Sequence, residues 1–308
     1  MKGFSSYSIN ANGKIIDLSE PITMGILNAT PDSFYAGSRK QTEYEISKRA
    51  DQIISEGGKI IDIGAFSTRP NAAKVTAEEE MSRMRFALKT VRAVQPEAVL
   101  SIDTFRPEIA QMAVEEFGAG IINDVSEGNI NGAFGGTSAT PIPATGLMAE
   151  QQEDEMRKDE GDNMSAYPAI FRMAARLSVP YILMSTKPDI ETMMKAFAKE
   201  VQQLRDLGVK DIIIDPGFGF GKTLDQNYQI LCNLGKLREL DLPLLVGASR
   251  KSMIFRLFGT DADHSLNGTT VINTISMLLA GASILRVHDV KECVEATEIV
   301  KKTLSANV

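Results

Sequence analysis

The sequence contains no tryptophan, only two cysteines and no apolar run long enough to cross a bilayer. The cysteines, Cys232 and Cys293, are far apart and lack the short spacings of metal or redox sites. We therefore expect both to be packing residues in outer helices of a cytoplasmic protein. The first residues lack the apolar stretch of a signal peptide, so none is expected.

Positive charge is also scarce. Lysine and arginine number 33 against 40 acidic residues, which gives a formal net charge of −7. This balance argues against a nucleic-acid or membrane surface as partner and favours small-molecule substrates. An anionic substrate would have to be attracted by local cations in a cleft.

Eight short apolar runs each end at a polar or glycine-rich cluster, and helix-period segments alternate with them. The runs cover residues 22–27, 60–63, 99–102, 120–122, 180–184, 212–214, 244–246 and 282–287. This alternation predicts a single (β/α)8 TIM barrel over residues 1–308. In such barrels the chemistry lies at the C-terminal ends of the strands.

The segments between the strands carry the signals of helices and turns. Predicted helices cover 43–56, the segment beginning at Thr76, 107–117, 169–177, 191–207, 224–240, 267–279 and 290–305. Residues 7–18 predict a β-hairpin with an Asn12-Gly13 turn, placed to cover the N-terminal mouth of the barrel.

One segment interrupts the alternation. Residues 129–163, after the fourth strand, are rich in glycine and alanine and then in charge, and poor in aromatic core formers. Long loops of this kind are usually functional or disordered. We expect partial disorder, with a catalytic lid as the alternative.

Three polar residues stand at or just past strand ends and predict the floor of a pocket. These are Asp103, Asn123 and Asp215. A heterocycle with a guanidine-like pair of N–H groups would satisfy Asp215 in the two-point manner of arginine. A salt bridge to a barrel lysine or arginine is the alternative for each carboxylate alone.

Four basic residues follow other strands and form a complementary set. Arg69, Lys251, Arg286 and His288 should converge at the C-terminal face, where phosphate sites are frequent. Asn28 adds a neutral oxygen suited to a hard cation. Together they predict a diphosphate and Mg²⁺ site.

The glycine-rich stretch 217–223 ends in Gly221-Lys222-Thr223 and superficially resembles a P-loop. The position of the first P-loop glycine is Pro216, and the glycine spacing fails the dinucleotide fingerprint as well. The glycines are better suited to a close approach of the backbone to a flat ligand.

Seven ordered blocks resemble the dihydropteroate synthase family. They are residues 25–34, 61–64 with 67–70, 101–104, 122–125, 215–223, 249–252 and 286–290. The resemblance extends from Pro21 to Val290. It implies condensation of 6-hydroxymethyl-7,8-dihydropterin diphosphate with 4-aminobenzoate, giving dihydropteroate and pyrophosphate in folate synthesis. It also implies sulfonamides as a ligand class and a homodimer formed through outer helices.

The resemblance assigns roles by matching positions. Asp103, Asn123, Asp215 and Lys251 match pterin-binding residues, Asn28 the Mg²⁺ ligand, Thr68, Arg286 and His288 the diphosphate contacts, and Phe34, Arg69, Phe220 and Ser252 the aminobenzoate surroundings. The chain departs from the family at Ala36, where a carboxylate is usual, at Ser185, where a histidine is usual, and in the length of 129–163.

Two other readings share the pterin floor. A methyltransferase barrel that binds methyltetrahydrofolate would use similar acidic residues. A pterin-binding barrel without catalysis is motivated by Ala36 and Ser185. The blocks at 30–34 and 249–252 favour the synthase, because methyl transfer needs neither diphosphate departure nor aminobenzoate binding.

Overall fold

The computed structural model describes residues 4–29, 39–66, 75–129 and 167–306. Phe34, Ala36, Thr68, Arg69 and nearly all of the 129–163 insert lie outside the described residues. Their predicted roles stay predictions.

Eight parallel strands form the barrel and confirm the predicted fold. They are β3 (Ile22–Asn28), β4 (Ile60–Gly64), β5 (Val99–Asp103), β6 (Ile121–Asp124), β7 (Tyr181–Met184), β8 (Ile212–Asp215), β9 (Leu245–Val246) and β10 (Ile284–Val287). Neighbours pair in chain order, and β10 pairs with both β3 and β9. A bridge between Ile214 and Leu244 joins β8 to the β9 side and closes the ring.

Nine α-helices surround the described barrel. They are α1 (Arg39–Ser55), α2 (Ala77–Val94), α3 (Pro107–Phe117), α4 (Ala169–Leu177), α5 (Ile190–Asp206), α6 (Leu224–Asn233), α7 (Ser252–Phe258), α8 (Leu266–Ala280) and α9 (Val290–Ser305). Thr76 and Thr223 each cap a helix through a reciprocal capping box. Both cysteines lie in outer helices as expected, Cys232 in α6 and Cys293 in α9. Cys293 is buried and packs as predicted, but Cys232 is exposed, so its predicted packing role is wrong.

Two helix predictions need correction. The predicted helix 224–240 ends at Asn233, and Leu234–Leu240 continues as a 3₁₀ helix. Gly235 helps to explain the change, because glycine is a poor former of α-helix interiors. The short helix α7 was not predicted, since seven residues carry too little periodicity to be recognised.

The predicted hairpin is present and plugs the N-terminal mouth. Strands β1 (Ser8–Ala11) and β2 (Lys14–Asp17) are joined by Asn12 and Gly13, both with positive φ. Ile9, Ala11 and Leu18 pack against a layer of strand residues that fills the barrel interior, namely Met24, Ile60, Ile121, Ile182, Ile213, Leu245 and Ile284. This end is therefore sealed by apolar side chains, and ligands must enter from the other end.

A second apolar layer lies between the strands and the outer helices, and it includes the fully buried Phe171, Phe197 and Met84. Among the described helices, none is long and apolar enough to cross a membrane.

Candidate active site

The strand alternation explains why polar groups meet inside the barrel. Side chains two positions apart on a strand face the same side. Asp62, Asn123, Asp215 and Arg286 each lie two residues after an interior apolar residue of the plugged layer. They form the next layer toward the C-terminal mouth.

Arg286 lies at the centre of this layer and bridges two carboxylates. Its Nε donates to Oδ2 of Asp62 at 2.6 Å, and its Nη2 donates to Oδ2 of Asp103 at 2.7 Å. Burial opposes the charge of Arg286, but the two carboxylates raise its pKa above the ordinary value. Arg286, which the sequence grouped with the basic residues of the diphosphate site, therefore lies within the acidic layer.

Asp103 lies at the end of β5, beside the mouth, with a side chain that is 20% exposed. Burial raises its pKa to about 7; Arg286 opposes this rise, and Asp62 adds to it. Asp103 therefore depends on its hydrogen bond from Arg286 to offset the cost of burying its charge.

Asn123 is buried and only half satisfied. Its Nδ2 donates to the carboxylate of Asp62 at 3.2 and 3.3 Å. Its Oδ1 has no hydrogen-bond partner among the described residues, and the same holds for the Oγ of Ser101. Because buried polar groups are normally paired, this unpaired buried acceptor favours a ligand that brings an N–H group.

Asp215 ends β8 and is buried at 4% exposure. Its Oδ1 accepts from the backbone N–H of Gly217 at 2.7 Å. Burial raises the pKa of Asp215, while Lys251, the Gly217 N–H and Arg286 act in the opposite direction. Gly247, which lacks a side chain, leaves space between Asp215 and Arg286.

Lys251 borders the same space from the segment after β9. Its Nζ lies 4.5 Å from the centroid of the Phe220 ring. Burial lowers its pKa to about 8, although Asp215 partly restores the charge. The preceding residue, Arg250, has a positive φ of 56° and is held by two hydrogen bonds to Asp289.

His288 follows β10 at the mouth, and it is not a cation. Burial lowers its pKa to about 3, with Arg286 and Arg250 adding to the effect. Its Nδ1 lies 3.0 Å from Oγ of Ser249, and this Oγ accepts a hydrogen bond from the His288 backbone N–H at 3.1 Å. The predicted cationic role of His288 is corrected to that of a neutral, oriented imidazole at pH 7.

Asn28 ends β3 with an exposed side chain on the mouth side. Within the described part of the chain no group of three or more histidine, cysteine or acidic residues could hold a metal. Mg²⁺ commonly keeps several waters and binds through one or two protein oxygens plus substrate phosphates. The single amide oxygen of Asn28 fits that mode and does not fit a site made by protein ligands alone.

The structure thus brings together Asp103, Asn123, Asp215, Lys251 and Arg286, with Phe220 and Ser252 on the Lys251 side and Asn28 and His288 at the mouth. Sequence reasoning missed the role of Asp62, which is completely buried at the centre of the polar layer. A charged residue inside the apolar run 60–63 was the available signal. It also missed Ser249 as the partner of His288.

Comparison with known proteins identifies the class. A family model described as pterin binding enzyme matches residues 24–288. The chain belongs to this family of pterin-binding barrels.

Individual relatives show which enzymes of this family the chain resembles. The dihydropteroate synthase of Escherichia coli K12 is 38% identical over 296 residues, covering 96% of each chain. A Xanthomonas albilineans dihydropteroate synthase solved with 4-aminobenzoic acid has a TM-score of 0.78, with 30% identity, 97% of this chain and 99% of that one. A Yersinia pestis dihydropteroate synthase in a sulfonamide drug complex gives 0.76, with 31% identity and coverage of 97% and 100%. Within the pterin-binding enzymes, the chain groups with the dihydropteroate synthases.

Proposed function

We propose that this barrel makes dihydropteroate by holding the pterin ring of its diphosphate substrate on the layer of Asp62, Asn123 and Asp215. The unpaired, buried Oδ1 of Asn123 is the observation that carries this placement. It supplies one acceptor for a ring N–H, and Asp215 supplies a charged acceptor for the guanidine-like edge. Lys251 donates to the acceptor edge of the ring.

The reaction breaks the bond between a ring-attached CH₂ and the diphosphate. The electron-rich dihydropterin can delocalise positive charge that develops on this carbon, so departure can run ahead of attack. Ionised Asp215 favours that positive character electrostatically. Arg286 keeps Asp62 and Asp103 charge-compensated in the same layer.

The leaving diphosphate is placed at the mouth, near Asn28 and His288, with Thr68 and Arg286 as further predicted contacts. When the Ser249 hydroxyl donates to Nδ1, neutral His288 carries its proton on Nε2 and can donate one hydrogen bond from that atom. Bound Mg²⁺ would neutralise part of the developing charge, and Asn28 would hold it.

The aminobenzoate is placed beside Phe220 and Ser252, with Phe34 and Arg69 as predicted neighbours. An arylamine is uncharged at neutral pH and attacks through its lone pair, so a strong general base is not required. This agrees with a site in which Asp62 and Asp103 are paired with Arg286 and Asp215 lies in the field of Lys251.

We also propose a homodimer formed through outer helices in the cytoplasm. Helix α8 exposes Val271 and Leu279, and the end of α7 exposes Leu257 and Phe258. Exposed apolar residues grouped on neighbouring helices are typical of an interface. The proposed dimer would be contradicted if the wild type and a Val271→Asp/Leu279→Asp variant both sedimented as monomers.

Pyrophosphate release from the pterin diphosphate, measured with and without 4-aminobenzoate, tests the proposal. We expect release that depends on 4-aminobenzoate and is lost in Asp215→Asn, while the exposed Asp225→Asn behaves as wild type. Absence of release despite pterin binding would support the non-catalytic barrel. Methyl transfer from methyltetrahydrofolate without release would support the methyltransferase.

A further inference from the structure

The lysine of the P-loop-like segment does not point to a phosphate. Lys222 Nζ donates to three backbone carbonyl oxygens: Ser185 O at 2.9 Å, Gly217 O at 2.9 Å and Phe220 O at 3.1 Å. An ammonium has three donors, so these bonds use all of them. The first carbonyl follows β7 and the other two follow β8.

The glycines make this carbonyl cage possible. Gly217, Gly219 and Gly221 all have positive φ, between 62° and 81°. A Cβ on Gly217 would lie 2.2 Å from Ser185 O, so only glycine fits between the two loops. The turn also closes on itself, because the Phe220 N–H donates to Gly217 O at 3.1 Å.

The β7 side of the cage is itself fixed. Glu127 is 3% exposed, and its Oε1 accepts from Ser185 Oγ at 3.1 Å and from Thr186 N at 2.6 Å. Its Oε2 accepts from Lys187 Nζ at 2.8 Å. The Ser185 carbonyl is therefore a rigid point to which Lys222 can tie the β8 loop.

The opposite side of the turn reaches the substrate space. Phe218 is fully buried, while Phe220 is partly exposed with its ring under Lys251 Nζ. Between them, the Gly219 N–H donates to Oδ1 of Asn227 at 2.7 Å. Lys222 links the Phe220 carbonyl to the Ser185 carbonyl after β7. Loss of Lys222 would therefore release the part of the turn that carries the Phe220 ring.

We propose that Lys222 is a positioning residue that sets the Phe220 wall of the aminobenzoate pocket by fastening the β8 loop to the β7 loop. The inference rests on the proposed function only in assigning Phe220 to aminobenzoate. Lys222 itself touches neither substrate. Its buried charge is balanced by nearby Asp215 and Glu127, and burial lowers its pKa to about 8.

Kinetics of Lys222→Met, Lys222→Arg and the exposed-site control Lys210→Met test this role. We expect Lys222→Met to raise KM for 4-aminobenzoate by about tenfold or more, since small displacements of a positioning group have large effects. The Kd of 6-hydroxymethylpterin, measured by calorimetry, should change much less. Lys222→Arg should recover most of the loss. Unchanged KM, or an equal loss of pterin affinity, would overturn the proposal.

Chemical rescue separates the missing cation from a general loss of structure. Lys222→Ala lacks the three carbons and the nitrogen that propylammonium can restore. Added propylammonium should lower KM for 4-aminobenzoate in Lys222→Ala and leave wild type unchanged. If propylammonium gives no rescue at any concentration although circular dichroism shows that the variant is folded, the proposed role of the carbonyl cage is contradicted.

A readout independent of catalysis distinguishes the two proposals. The chain has no tryptophan, so Phe220→Trp introduces a single reporter. Its emission should shift to the red and become more quenched by iodide when Lys222→Met is added. If this shift is seen and the wild-type protein releases no pyrophosphate, the proposed function fails and the positioning role of Lys222 stands. Identical emission spectra of Phe220→Trp with and without Lys222→Met would contradict the positioning role of Lys222.

Discussion

Arg286 Nε lies 2.6 Å from Oδ2 of Asp62, and the Asp62 side chain is completely buried. Arg85 and Glu116 are equally close, at 2.6 Å, but both are about half exposed. The two pairs therefore differ in solvation rather than in distance. A buried pair leaves an uncompensated charge when one partner is removed, whereas water compensates an exposed one.

We expect Asp62→Asn to lower the free energy of unfolding by about 3 kcal/mol, because part of the Arg286 charge would lose its buried partner. Arg85→Met, the exposed control, should lower it by less than about 1 kcal/mol. Urea denaturation followed by circular dichroism measures both. Equal losses would show that Asp62 is not effectively buried in solution.

The barrel could be predicted from sequence because its periodicity is local. All eight apolar runs became strands, and the Asn12-Gly13 turn produced the hairpin. The residues missed depend on long-range pairing. Asp62 and Arg286 are separated by 224 positions, so no local pattern joins them. The carbonyl cage of Lys222 was not visible either, because Ser185 is 37 positions away in the sequence.

The charge states of the site residues could not be predicted from the sequence either. His288 was grouped with cations because histidine titrates near neutrality in water. Burial beside Arg286 and Arg250 determines the protonation state of His288. That burial depends on several loops, so the residues at the end of one strand cannot reveal it. In the same way, Lys251 was recognised as basic, but its lowered pKa follows from enclosure by several loops.

Asp215→Asn should weaken binding of 6-hydroxymethylpterin by more than about tenfold, since a hydrogen bond to a charged acceptor is stronger than one to a neutral amide. Asparagine would also present an N–H group toward ring donors. Calorimetry at pH 7 gives the Kd, and Asp225→Asn on the surface of α6 controls for the loss of one charge. An unchanged Kd would remove Asp215 from the pterin floor.

Pterin affinity should fall as pH rises through 8. The pKa of Lys251 is lowered to about 8, so its charged form decreases by about tenfold between pH 7 and 9. Asp215, Asp103, Arg286 and Lys222 are the charged groups around it, and they set this value. In Lys251→Arg the side chain stays charged throughout this range.

The ratio of the two Kd values across pH is the informative quantity, because ionisation of the ligand is common to both proteins. We expect the wild-type Kd to rise relative to that of Lys251→Arg between pH 7 and 9. Lys222, whose pKa is also about 8, is unchanged in the variant. Parallel curves would show that Lys251 does not act through its charge.

His288→Ala should slow turnover by about a hundredfold, the usual effect of losing one oriented donor to developing negative charge. Binding of 6-hydroxymethylpterin, which lacks the diphosphate, should not change, because His288 lies at the mouth. The exposed His264, bonded to Asp261, provides the matched control as His264→Ala. Ser249→Ala should give a smaller loss, since it frees the imidazole without removing it. If His288→Ala weakened pterin binding and turnover equally, His288 would belong to the floor of the site and not to the leaving group.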